Sequence, residues 1–334
     1  MSGGAVLITG AAGFIGSHLA EALLRQGRDV VGLDNFDAFY ARNIKQRNLD
    51  AIQEATASIA GAGAFTLVEG DIRRPGDMMQ LFASVEPVSV IHLAARAGVR
   101  PSIAQPGLYA EVNVTGTVNL LEAARKTKSV DRFVMASSSS VYGNRSQVPF
   151  CEADPVSEPI SPYAATKRAC ELIGHTYHHL YGLPVACLRF FTVFGPRQRP
   201  DLAIARFIEL MERNESIPMF GDGSTSRDYT YIDDIIAGVI AAHDRIVGHG
   251  YRIWNLGGRH PVTLHEMIQA IGSAVGKAPR IEQLAMQPGD VERTCADTQR
   301  SAKELGFAPQ VPFAEGVARQ VAVARADREA ASAI

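Results

Sequence analysis

The chain has 334 residues and a formal net charge of −2. With 46% of the residues hydrophobic, a sizeable core is available, and the length points to two lobes rather than one. The near-neutral balance gives no electrostatic case for nucleic acid or an anionic membrane as partner. Four cysteines (Cys151, Cys170, Cys187 and Cys295) lack metal-ligand spacing and read as thiols of a reducing compartment, so no metal is expected. No apolar run reaches the ~18 residues of a membrane span. The opening AVLITG is broken by glycine and has no basic leader, so no signal peptide is expected and a cytoplasmic protein is the default.

In chain order, short apolar runs alternate with helical periodicity. Strands are predicted at 5–9, 29–34, 65–71, 89–94 and 132–138, with helices at 16–27, 77–85 and 112–128 and an Ala-rich, helical insert at 41–63. Continuous apolar strands alternating with helices imply a parallel sheet covered on both faces. The fold class is therefore α/β, a Rossmann-type doubly wound parallel sheet followed by a smaller α/β lobe. A further helix from 162 to about 181 leads to a strand at 185–191. Beyond it, loops rich in Gly, Pro and Arg (194–201, 221–228, 286–293) alternate with helices at 202–214, 233–246 and 263–275. The tail from about 324 has little to bury and is expected to fray. His175 and His179 are one helical turn apart without a third ligand, and read as a helix face. Trp254 reads as core.

Two local patterns carry chemistry. Gly10, Gly13 and Gly16 fall between the first strand and first helix, where glycine lets the backbone approach a pyrophosphate and the helix N-terminus faces the anion. The spacing is one residue longer than the usual dinucleotide fingerprint, and the lysine of a triphosphate loop is absent. Asp34 ends the second strand, placed to accept from ribose hydroxyls and to repel a 2′-phosphate, which favours NAD over NADP. The second pattern is SPYAATK (161–167). Ser161 and Pro162 signal a helix start, and Tyr163 and Lys167, four apart, share a face. A hydroxyl run, Ser137 to Ser140, closes the fifth strand, where ligands bind in open α/β sheets.

Gly10–Gly16, Ser138, Tyr163 and Lys167 together resemble the extended short-chain dehydrogenase/reductase superfamily, in particular its nucleotide-sugar epimerases. DNFDAFY (34–40), HLAARAGVRPS (92–102), RFFTVFGPRQRPDLA (189–203), FGDGSTSRDYTYIDD (220–234) and MQPGDVERTCAD (286–297) resemble most the UDP-glucuronate 4-epimerase branch. The resemblance implies Tyr163 as general base and acid, Lys167 as its support and Ser138 as an assisting hydroxyl. It places Phe14 and Ile15 at the pyrophosphate and Asp71 and Ile72 at the adenine. Leu93, Ala94, Ala95 and Asn35 fall on the cofactor side, with Asn113 on the helix behind. For a UDP-sugar it implies Arg227 and Arg293 at the diphosphate, with Arg100, Ser139 and Ser140 on the sugar side. Thr192 and Arg199 would hold a sugar carboxylate, although Arg197 is close by and a plain loop arginine is the other reading of either. Residues 1–180 would form the NAD-binding domain with the catalytic residues. Residues 181–323 would form the nucleotide-sugar lobe, with segments near 185–193 and 229–256 returning to the first domain, and 324–334 the tail. A homodimer through helices 2 and 3 of the catalytic half is also implied.

The expected reaction is 4-epimerisation of UDP-glucuronate to UDP-galacturonate through a 4-keto sugar. Free tyrosine has a pKa near 10, and an ammonium about 6 Å away at an effective dielectric near 20 offers roughly 2.8 kcal/mol, about two pKa units. The nicotinamide of NAD⁺ pushes the same way, so bound cofactor is expected to be part of the base. Rivals are a UDP-glucose or UDP-N-acetylglucosamine 4-epimerase, a UDP-glucuronate decarboxylase and a catalytically silent NAD sensor. A 4,6-dehydratase is disfavoured, because the hydroxyl run offers no acid/base carboxylate pair.

Overall fold

A computed structural model describes residues 4–285 and 291–332. Seven parallel strands form its central sheet: β1 (Val6–Thr9), β2 (Val30–Asp34), β3 (Phe65–Glu69), β4 (Ser89–His92), β5 (Arg132–Ser138), β6 (Val185–Phe190) and, from the distal part of the chain, β10 (Tyr251–Leu256). The spatial order is β10-β6-β5-β4-β1-β2-β3, the doubly wound arrangement with its reversal between β1 and β4. Between β6 and β10 lie β7 (Thr192–Phe194), β8 (Ile217–Phe220) and β9 (Ser226–Tyr231), and after β10 come β11 (Pro261–Thr263) and β12 (Ile281–Leu284). These build a small β11-β9-β7 sheet and a β12-β8 pair, separate from the central sheet.

The alternation of side chains across the strands explains the layering. Val6, Ile8, Ile91, Val134 and Leu188 face one core, packed by α1 (Phe14–Arg25) among others. Leu7, Val31, Val90, Phe133 and Val185 face the other. There they meet α3 (Pro75–Val85), α6 (Gly116–Lys126) and α7 (Pro162–Tyr181), which follow α2 (Arg42–Ala57) and the short α4 (Val99–Ala104) and α5 (Pro106–Tyr109). Each fully buried Leu, Ile or Phe contributes about 1.5–3 kcal/mol. Within the central sheet only β3, at one edge, carries exposed positions, Leu67 among them.

Several expectations need correction. The helix expected at 112–128 is a composite: α5 passes through a π-turn at Ala110–Thr115 into α6, and such a bulge often marks a functional site. The segment 221–228 is a loop only in part, because β9 starts at Ser226. Its Ser-Arg-Asp start lacks the apolar alternation of a strand. Asp228 is nonetheless fully buried, accepting from the backbone N–H groups of Gly258, Arg259 and Ala296. The tail does not fray at 324. After α8 (Ala203–Glu212), α9 (Ile232–Arg245), α10 (Leu264–Val275) and α11 (Gln299–Leu305), the last helix α12 runs from Phe313 to Ser332. Arg325 anchors it, donating to Glu212 and to the Val275 carbonyl at 2.6 Å each. Of the loop expected at 286–293, residues 286–290 lie outside the described residues. Trp254 is core, fully buried with its indole N–H donating to Glu304 at 2.8 Å.

Candidate active site

A cavity of about 360 Å³ opens at the carboxyl ends of the sheet strands, where ligands bind in doubly wound folds. At one end the chain leaves β1 through Gly10, whose φ is +74° and which abuts the Ala94 backbone. α1 then starts at Phe14 with no side-chain cap on Gly13, so the N–H groups of its first turn are left for an anion. A β-carbon on Gly16 would meet the Gly10 carbonyl at 2.1 Å, so only glycine permits this tight turn. Gly10, Gly13, Phe14, Ile15 and Gly16 all line the cavity, as do Asn35, Asp71, Ile72, Leu93, Ala94 and Ala95. Apolar strand ends around an uncapped helix N-terminus fit a dinucleotide.

Asp34 lines the same end but is not a free acceptor. It takes N–H groups from Ala12 (3.2 Å) and Phe36 (2.8 Å) and pairs at 3.2 Å with Lys45, both side chains being buried. Lys45 reaches in from α2 and went unread in the sequence, because the Ala-rich segment around it carries no motif. Tyr40 lies near both; its hydroxyl is pushed up to about 12 by burial and by the Asp34 charge. Burial pushes the Asp71 carboxyl up, but hydrogen bonds from Arg73 and Asn35 outweigh it and hold it at about 2.

The catalytic candidates meet at the middle of the cavity. Ser161 caps α7 by accepting from Ala164 N–H at 3.2 Å, with Pro162 in the first turn. This sets Tyr163 and Lys167 on the inner face, and both line the cavity with Ser138. The Lys167 ammonium is buried and donates to the Ala136 carbonyl of β5 at 2.8 Å. Ser138 donates to Ser140 Oγ at 3.1 Å. Asn113, on the π-turn, does not line the cavity. It clamps the Arg96 backbone through both amide atoms and donates to Thr166, which in turn donates to the Tyr163 carbonyl at 2.8 Å. The same chain continues beneath the cofactor end. Thr117 donates to the Asn113 carbonyl, so His92 must donate to Thr117 through Nε2 and accept from Thr9 at Nδ1 (2.7 Å). Burial, then the Lys167 charge, holds His92 neutral, down at about 3. Deeper still, the fully buried Glu171 accepts from Ser137 and from Nε and Nη2 of Arg189, tying α7 to β5 and β6.

The other end of the cavity is lined by Thr192, Arg199, Arg96, Phe39 and Leu202. The two loop arginines point in different directions. Arg197, at φ +60°, turns away and pairs with Glu21 of α1 at 2.5 Å, whereas Arg199 turns in. Ser139, Ser140, Arg100, Arg227 and Arg293 are outside the cavity lining. Arg100 stacks over Phe220 of β8 at 5.0 Å, Arg227 donates to the Ser226 carbonyl, and Arg293 bridges Ser226 through its backbone. His175 and His179 stack on one another, and His175 packs edge-on against Tyr251.

Residues 7–320 match the family model described as GDP-mannose 4,6 dehydratase. The chain is 41% identical over 319 residues to a UDP-glucuronate 4-epimerase of Thermodesulfobacterium geofontis, covering 95% of each. A crystal structure of UDP-glucuronic acid 4-epimerase from Bacillus cereus with UDP-glucuronic acid and NAD superposes with a TM-score of 0.85 at 35% identity, covering 96% of this chain and 99% of that one. A UDP-glucose 4-epimerase from Thermotoga maritima with UDP-glucose superposes at 0.82 and 30% identity, covering 97% and 99%. By sequence, sheet order and the placing of its glycine turn, tyrosine and lysine, the chain belongs to the extended short-chain dehydrogenase/reductase family, among its NAD-dependent UDP-glucuronate 4-epimerases.

Proposed function

We propose that this protein interconverts UDP-glucuronate and UDP-galacturonate by inversion at C4. The observation that carries the sugar assignment is Arg199, the loop arginine turned into the cavity beside Thr192. A guanidinium suits a carboxylate and has no such partner on a neutral hexose. NAD is held by the turn at Gly10–Gly16, by Asp34 with Lys45, and by the apolar wall from Ile72 to Ala95. When bound, it supplies the hydride acceptor and donor that inversion at C4 needs.

The chain's own residues do the rest. Tyr163 takes the proton of the sugar 4-hydroxyl and later returns it. Lys167, fixed by the Ala136 carbonyl, stands one helical turn after Tyr163 on the cavity face of α7 and supports it there. Ser138 offers a hydroxyl to the oxygen at C4. The 4-keto sugar formed from a glucuronate is a β-keto acid, and it loses CO₂ most readily when the carboxylate bond stands perpendicular to the carbonyl plane. Arg199 and Thr192 hold the carboxylate away from that geometry. Arg227 and Arg293 serve the diphosphate, and Arg100 faces the sugar.

Two further parts belong to this reading. A homodimer is supported by Leu172 and Leu180, eight residues apart on α7 and 54% and 60% exposed. A cytoplasmic location accords with four unpaired cysteines. Among the described residues no helix is long and apolar enough to cross a membrane. The deciding experiment incubates the protein with UDP-glucuronate, UDP-glucose and UDP-N-acetylglucosamine and follows C4 stereochemistry by NMR. Inversion of UDP-glucuronate without CO₂ release is expected. CO₂ release identifies a decarboxylase, and faster turnover of a neutral sugar overturns the carboxylate assignment.

A further inference from the structure

Arg199 enters the cavity already partnered. Arg199, Pro200, Asp201 and Leu202 form a β-turn closed by Leu202 N–H donating to the Arg199 carbonyl at 3.1 Å, with proline at its second position. The turn folds Asp201 back onto the arginine, whose Nε and Nη2 donate to the two carboxylate oxygens at 3.0 and 2.9 Å. The preceding residue is anchored as well. The buried Gln198 side chain donates to the Val193 carbonyl, and it accepts from Ala205 N–H and from Gln320. The central carbon of the guanidinium lies over the Phe39 ring, 5.3 Å from its centroid, and that of Arg96 lies over the same ring at 4.8 Å. Arg96 in turn pairs with Asp37, two residues before Phe39, at 2.5 Å. Arg199 is therefore held against a ring, along one edge and at its backbone.

We infer that Asp201, which does not line the cavity, is a positioning and specificity-determining residue acting through Arg199. This rests on the reading that the substrate carries a carboxylate. A guanidinium has five N–H groups. Two are on Asp201, and the three that remain, on Nη1 and Nη2, are those Arg199 offers to the cavity. The Asp201 carboxylate, about 8 Å from an anion on that far edge, cancels roughly half of the arginine's attraction for it. The outcome is an arginine that aims a sugar carboxylate without clamping it. Epimerisation requires this: the 4-keto sugar must expose its opposite face before it is reduced, so a carboxylate locked to a bare guanidinium would tighten binding and slow the turn.

The test uses Asp201→Asn, which keeps an acceptor in the turn and removes the charge. Binding is measured by calorimetry on the NAD-loaded protein in a Tyr163→Phe background, and kcat in the Tyr163 background. For Asp201→Asn the Kd of UDP-glucuronate is expected to fall about tenfold and its kcat to fall by a similar factor. The Kd of UDP-glucose is expected to move less than twofold, and the selectivity gain to shrink at 0.5 M salt, roughly three times the ionic strength at which the Debye length is about 8 Å. Asp201→Glu is expected to return toward wild type. If Asp201→Asn does not fold, Asp201→Ser carries the same expectations. An unchanged or weaker UDP-glucuronate Kd, or parallel shifts for both sugars, overturns the proposal. Wild-type turnover reads the parent assignment separately. Charge-selective tightening without any wild-type inversion of UDP-glucuronate sinks the substrate reading and keeps Asp201's role, whereas inversion without charge-selective tightening does the reverse.

Discussion

The two ends of the cavity are built by different means. At the cofactor end the surface is mostly backbone and apolar strand ends: Gly10 at positive φ, an uncapped helix start, and Leu93 to Ala95 leaving β4. At the sugar end it is mostly long charged side chains on loops, each already engaged: Arg199 with Asp201, and Arg96 with Asp37. A backbone cradle suits a ligand that stays through many turnovers, since it is rigid and costs little entropy to organise. Paired side chains suit a ligand that must enter, turn and leave.

Four experiments break or sharpen this contrast. The largest effect is expected at the junction of the two ends, where Tyr163→Phe removes the proton carrier. Turnover should fall about 10²–10⁴-fold while both NAD and UDP-sugar still bind; a variant retaining a tenth of wild-type kcat would move the base elsewhere. Next comes the buried pair below the junction. Arg189→Met takes from the fully buried Glu171 its buried partner and leaves it the part-exposed Arg168, 3.0 Å away, and a loss of about 3 kcal/mol in denaturant unfolding, the low end for a broken buried pair, is expected. Adding Glu171→Leu should recover most of it, and if it recovers none the two groups are not coupled. Third, Gly16→Ala drives a methyl toward the Gly10 carbonyl. NAD affinity should drop about tenfold or more, roughly 1.4 kcal/mol upward, with UDP binding little changed; equal losses of both would erase the distinction between the ends.

The smallest effect concerns pH. Burial holds His92 and His18 down at about 3, against an ordinary 6.5. Between those values the unfolded chain binds protons that the native one refuses. Their contribution is thus complete above pH 6.5 and is lost as pH falls, at about 1.4 kcal/mol per pH unit for each. Asp228, pushed up to about 6 by burial, opposes one of them below that pH. His92→Asn should flatten the wild-type slope between pH 6.5 and 5 by one group's worth, as read by urea unfolding; parallel slopes would show that the imidazole is not held neutral.

The same contrast governs what could be read from the residues alone. Gly10, Gly13 and Gly16, and the Ser161–Pro162 start that presents Tyr163 and Lys167, are local backbone devices, so spacing along the chain reveals them. Lys45 is not local: it meets Asp34 only because α2 folds back over β2. Arg197 and Arg199 are two apart in one loop, and only the positive φ at Arg197 separates their directions. The strand at Ser226–Tyr231 was half hidden because its buried aspartate is satisfied by distant N–H groups rather than by apolar neighbours. The sheet's outermost strand, β10, shows the same dependence on long-range contacts.

That last strand has a consequence for biogenesis. β5, which delivers Ser138, gains β6 only after the helix bearing Tyr163 is made, and β6 is covered only by β10, which ends at Leu256. A nascent polypeptide halted before that point shows a bare edge that is apolar but for Arg189, the kind that recruits other chains. Ribosome-stalled fragments ending near 200 should therefore lean on chaperones, and that need should vanish once the later segment emerges.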